Sequence, residues 1–200
     1  MGVVFDSKFS FNDHITEIVS SASRLMGYFV RNWSSYSNLE CMKILYCAFI
    51  RSKLEYASLI WYPIYQNSIL KIESVQRRAL KYWYFKCSGQ YPERGFDHGI
   101  LLDFFGIETL KIRRDTHAVT FLYKLLNNKI DCSPLLSKVN FHVPRIESRH
   151  SVTFYCDVPH TNVMCRSPVH VMCAIFNSIC NKSDIFYDSI DNLILFLREN

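Results

Sequence analysis

The sequence predicts a mainly α-helical chain, on three observations. Apolar residues recur at three- and four-residue steps through most of the 200 positions. Capping residues and prolines stand at the ends of those runs. Only the amino terminus and a stretch near 140–165 carry the extended or irregular character of a different structure. With 49% apolar and 15% aromatic residues the chain can bury a core, and its six glycines and six prolines exclude collagen-like and low-complexity sequences. The longest uninterrupted apolar stretches, such as Val171 to Phe176, fall far short of the roughly 20 residues a membrane helix requires. Asp6 stands where an export signal is apolar and where a myristoylation motif wants Ser or Thr, so the expectation is an intracellular protein of cytoplasm or nucleus. Eight dispersed cysteines then read as reduced thiols, and the sequons at Asn32 and Asn181 as chance matches.

The elements follow in order. Residues 1–11 mix aromatic and β-branched side chains ahead of a polar turn, which predicts a short extended segment. Asp13 can cap a first helix whose stripe is Ile15, Ile18, Val19, Ala22, Leu25, Met26 and Phe29. Ser37 and Glu40 form a capping-box pattern before Leu39, Met42, Leu45, Tyr46, Phe49 and Ile50, and that second helix can run to about Tyr62, with Pro63 as its stop. Ile69, Ile72, Val75, Ala79, Leu80 and Trp83 mark a third helix. The glycines and Pro92 of 87–99 predict a loop and a boundary between subregions. A short apolar piece from Ile100 stops at Gly106, and a further helix spans about 108–127. Ser133-Pro134 and Ser167-Pro168 start two more, because proline suits a first helical turn. Asp188 can cap a last helix ending near Arg198, and 151–156 reads as one strand inside an irregular segment.

The net charge of +5 matters less than its distribution. From Lys71 to Lys86 five cations face Glu73 alone, and Lys111, Arg113 and Arg114 follow on a second segment. Arg77, Arg78 and Lys81, with Gln76 as a neutral hydrogen-bonding neighbour, are the types that hold phosphates, and the interleaved Tyr82, Trp83 and Tyr84 are planar groups on which bases stack. A solvated helix face with Trp83 in the core explains the same pattern. Tyr56, Trp61 and Phe121 are assigned to the core.

No paired aspartates, Gly-rich phosphate loop or zinc-protease motif occurs, so the chain carries no self-contained catalytic site. Asp13, Asp115 and Asp188 read as caps or solvated residues. Cys156, His160, Cys165, His170 and Cys173 supply zinc-ligand types within eighteen residues, but without any C-x-x-C. Reduced core cysteines and surface histidines are the preferred reading of that group.

Four phrases in one order carry a family resemblance. Gly2-Val-Val-Phe-Asp6 with Phe11, His14 and Ile15 resembles an L-G-V-x-x-D-x-x-L-x-F-x-x-H-I stretch. Leu54 to Pro63 resembles L-E-Y-x-S-x-I-W-x-P, and Ile72 to Leu80 resembles I-E-x-V-Q-R-x-x-L. Gly106 to Arg114 resembles L-G-I-x-S-L-x-x-R-R, with Phe121 to Asn127 continuing the match. Together they resemble the carboxy-terminal part of reverse transcriptases from non-LTR, LINE-type, jockey-like retrotransposons. The resemblance implies the end of the palm at 1–12, a thumb-like helical bundle at 13–86, a loop at 87–99, and a helical carboxy-terminal region at 100–200 with an irregular segment at 140–166. It also implies an RNA-directed DNA polymerase whose Mg²⁺-binding palm aspartates lie upstream. Their F/Y-x-D-D motif is absent here, so no catalytic residue carries over, and Met1, where the family has leucine, suggests a truncated copy of the element.

The expectation is therefore a non-catalytic fragment, itself without cofactor, that binds an RNA or DNA template–primer duplex through Gln76, Arg77, Arg78, Lys81, Lys111, Arg113 and Arg114, and possesses a second partner in the missing palm. A helical protein-interaction or scaffold module, and an inactive transposon relic, are the competing readings, and neither involves a membrane.

Overall fold

A tight turn, and no strand, precedes the first helix in the computed structural model, which describes residues 2–33, 38–143 and 152–199. The Ser10 amide donates to Asp6 Oδ1 at 2.6 Å, the Ser10 hydroxyl donates to the second carboxylate oxygen, and the Phe9 amide reaches the Asp6 carbonyl at 3.0 Å. Phe9 and Phe11 take left-handed backbone angles, φ 48° and 56°. Phe5 packs edge-to-face on Phe9 and Phe11, with centroids 6.2 and 5.5 Å apart. Within the segment expected to be extended, no strand forms among the described residues: the Asp6 carboxylate satisfies the Ser10 donors locally, and the chain turns at residues 7–8.

Two compact units follow, one of residues 1–57 and 63–111, the other of 58–62 and 112–200. In the first, α1 (Asn12–Asn32) has Phe11 at its N-cap with no side-chain cap, so Asp13 lies within the first turn, where its charge suits the positive helix end. Ile15, Ala22 and Met26 are buried at the expected spacing. The expected cap Ser37 lies outside the described residues; Asn38 caps α2 (Leu39–Leu45) by accepting from the Cys41 amide at 3.2 Å. A π-helical segment, Tyr46–Arg51, then widens the helix before α3 (Ser52–Glu55). The helix does not reach Tyr62 as expected. Ala57, at φ 51°, turns the chain out of it, and 58–62 join the other unit.

Helix α4 (Gln66–Ser88) closes on Gly89 at φ 77°, whose amide donates to the Phe85 carbonyl at 2.8 Å. Its inner face, Ile72, Val75, Ala79, Leu80 and Trp83, is buried. Trp83 meets Tyr46 and Phe105 edge-to-face at 5.4 and 5.6 Å, and the Tyr82 hydroxyl donates to the Val30 carbonyl at 3.3 Å. Asp97 caps α5 (His98–Phe105), and Gly106 ends it with the paired bonds Ile107 N–H to Leu102 and Gly106 N–H to Asp103. The boundary expected at 87–99 therefore lies inside the first unit, because aromatic contacts tie the helices on both sides of that loop together.

The second unit takes most of α6 (Leu110–Leu126), with α7 (Ser133–Leu136), α8 (Asn162–Cys165), α9 (Pro168–Asn177) and α10 (Ile190–Arg198). Ala118, Leu122, Leu125, Phe154, Met172, Phe176 and Leu193 form its core. The strand expected over 151–156, whose first residue lies outside the described residues, is reduced to one antiparallel bridge, Phe154 to Phe141. His142 N–H to Thr153 and Tyr155 N–H to Asn140, at 3.0 and 2.8 Å, close that bridge, while the Phe154 amide and carbonyl, which face away from Phe141, are bonded by the Asn177 side chain at 3.0 and 2.8 Å. Ser189, and not Asp188, caps α10; the Asp188 carboxylate instead accepts from the Asp184 amide at 2.7 Å.

Candidate nucleic-acid interface

Neighbouring residues on an α-helix point about 100° apart, and this rotation decides what each member of the basic run on α4 can do. Gln76 is fully buried. Its Nε2 donates to the Glu108 carbonyl at 2.7 Å, and its Oε1 accepts from the Tyr46 hydroxyl at 3.1 Å. Glu73, one turn earlier, accepts from the amides of Leu110 and Lys111 at 3.4 and 2.9 Å. These two polar residues fasten α4 to the first turn of α6 from inside, and the Glu73 charge complements that helix's positive end. Gln76 is therefore corrected from a phosphate contact to an interior clamp: both ends of its amide are already bonded. Burial also pushes the Tyr46 hydroxyl's pKa upward, with Arg51 opposing, so it stays the donor in this pair.

Arg77 and Arg78 are exposed and Lys81 is half-buried. None of the three has a carboxylate partner among the described residues. With exposed Lys71 they fall within an arc of about 120° and a length of about 15 Å along α4. The aromatic half of the expected motif does not join them. Tyr82 and Trp83 face inward, Tyr82 against Trp33 at 6.2 Å, so neither is available to stack on a base. Tyr84 is half-buried and touches the Phe96 ring at 5.9 Å.

The second basic segment does not present one surface. Lys111 is exposed and closes the first unit. Arg113, half-buried, and Arg114, only 1% exposed, belong to the second. Arg114 is corrected from a phosphate contact to an interior residue, since an outside backbone cannot reach it. Close by in sequence, Asp115 accepts from the Tyr62 hydroxyl at 2.5 Å, and burial, reinforced by that carboxylate, raises the Tyr62 pKa. Of the residues assigned to the core, Trp61 is buried and Phe121 packs partly against the second core, but Tyr56 is exposed, placed outward at the end of α3.

Among the described residues no three His, Cys, Asp or Glu side chains are grouped to hold a metal ion. Cys156, His170 and Cys173 line one cavity of about 180 Å³, whereas His160 is exposed and neither it nor Cys165 reaches that cavity. Burial pushes the Cys173 thiol up to about 12, with Cys156 adding to the shift, and burial raises Cys156 as well. The eight cysteines are free.

Sequence reasoning missed Glu73, Tyr46 and His98. The first two act through contacts 30 or more positions away, which periodicity does not encode. His98 opens α5, and burial lowers its pKa, as do Arg77 and, less strongly, Lys81, against an opposing pull from Asp97. No family model, curated protein or solved structure matches this chain.

Proposed function

We propose that this chain is a non-catalytic nucleic-acid-binding fragment that grips the phosphate backbone of a template–primer duplex through the outer face of α4. The observation that carries this reading is the division of labour along the helix: Arg77 and Arg78 exposed, with Lys81 beside them and no carboxylate partner among the described residues, on a helix anchored from behind by Trp83, Gln76 and Glu73. Cations held on a rigid support attract a polyanion and release its counterions. With Tyr82 and Trp83 buried, the contact is with phosphates and carries little base preference. The four ordered phrases that resemble non-LTR reverse transcriptases make an RNA–DNA duplex the first ligand to try, and the thumb-like region of such a polymerase the origin proposed for the fold. In that origin the metal-dependent chemistry belongs to the palm.

The test is equilibrium binding of the purified chain to a labelled RNA–DNA duplex across a salt series. Affinity that falls steeply as salt rises supports the reading. A folded chain that does not bind at low salt overturns it and favours the scaffold or relic reading.

A further inference from the structure

The loop after α4 folds back along that helix. Tyr91 stacks on Phe85 with centroids 4.4 Å apart, and Phe96 meets Tyr84 at 5.9 Å. Two residues after Phe96 the chain enters α5 at His98. Tyr84, Lys81 and Arg77 follow one another at three- and four-residue steps, so the aromatic contact delivers His98 to the stripe that carries the two cations. Both ring nitrogens of His98 are shut off from solvent, and neither has a hydrogen-bond partner among the described residues. The neighbouring carboxylate Asp97 is already engaged in capping, accepting from the Gly99 amide at 2.9 Å.

We propose that His98 is the proton-accepting member of the α4 interface: when a phosphate backbone docks on Arg77 and Lys81, His98 takes up a proton and adds a third positive charge, so the grip tightens as pH falls. This rests on the nucleic-acid reading above. In the free chain, burial and the two cations disfavour the protonated imidazole, against the pull of Asp97. Phosphates reverse the sign of the surrounding field, and by linkage whatever favours the charged imidazole binds better where it is charged. The ring nitrogens are covered, so the effect is that of a charge beneath the surface and not of a direct bond.

Duplex affinity is measured at pH 5.5 and pH 8.0 at constant salt for the wild-type chain and for His98→Gln. The His98 ring resonances of the wild-type chain are titrated with and without duplex. The wild type is expected to gain affinity on acidification, by about threefold for each half-unit by which the duplex raises the His98 pKa, while His98→Gln gains less. A His98 pKa that rises on adding duplex supports the proposal even if the variant fails to fold. Equal pH dependence in both proteins, or a His98 titration unmoved by duplex, overturns the proposal while leaving the phosphate grip intact. Absence of duplex binding at either pH overturns the grip and this proposal with it.

Discussion

Gln76 and Arg77 are adjacent in sequence and opposite in role, and the α-helical rotation between them is the reason. Replacing Gln76 with Leu leaves the Glu108 carbonyl and the Tyr46 hydroxyl without their partner. The expected loss is about 1–3 kcal/mol in urea unfolding, with the salt slope of any duplex binding unchanged. Glu73→Ala removes the acceptor for the first amides of α6, and chemical unfolding should register a loss of about 0.5–2 kcal/mol. Two histidines give the fold a pH dependence. Burial lowers the pKa of His14, and burial with Arg77 lowers that of His98, so near and below pH 6.5 the unfolded chain binds more protons than the folded one. Stability is therefore complete above that pH and declines as pH falls toward the depressed folded values. Thermal melts from pH 7.5 to 5 should show a falling Tm, partly abolished in His14→Gln. A rising Tm over that range contradicts the assignment. The exposed arginines were legible in the sequence because five cations in their run stand against Glu73 alone. The inward turn of Gln76 and Arg114 was not, because a polar residue with distant partners looks locally like any surface residue.

At the scale of the element, α4 was the most legible, since its apolar stripe and its glycine stop both lie in the local sequence. Gly89 has open space around its Cβ position, so the barrier to substitution is the left-handed backbone alone. Gly89→Ala is expected to cost about 1 kcal/mol, read as a lower urea midpoint with unchanged slope. The second helix was less legible. Its apolar pattern continues past the point where the π-helical segment and Ala57 end it, and the reason for stopping is tertiary: residues 58–62 are taken by the other unit. Likewise the strand-like pattern of 151–156 yields, among the described residues, one bridge between Phe154 and Phe141, and the other edge of Phe154 is bonded by the side chain of Asn177, a partner 23 positions away that local pattern does not encode.

For the whole molecule, the mainly helical class followed from periodicity, and among the described residues no helix is long and apolar enough to cross a membrane. The division into units did not follow. A glycine-rich loop looks like a boundary, but the stacking of Phe85 on Tyr91 and the edge-to-face contact of Trp83 with Phe105 close it inside one unit. The modest net charge of +5 also conceals the feature that matters, a cationic face on one helix with no ion-paired carboxylate among the described residues. The measurement that tests this most directly is the slope of log affinity against log salt for an RNA–DNA duplex. It is compared between the wild-type chain and a folded variant carrying Arg77→Gln, Arg78→Gln and Lys81→Gln. A phosphate grip on α4 predicts a slope smaller in magnitude by up to about three in the variant, together with weaker binding at every salt concentration. Identical slopes and affinities in the two proteins contradict it.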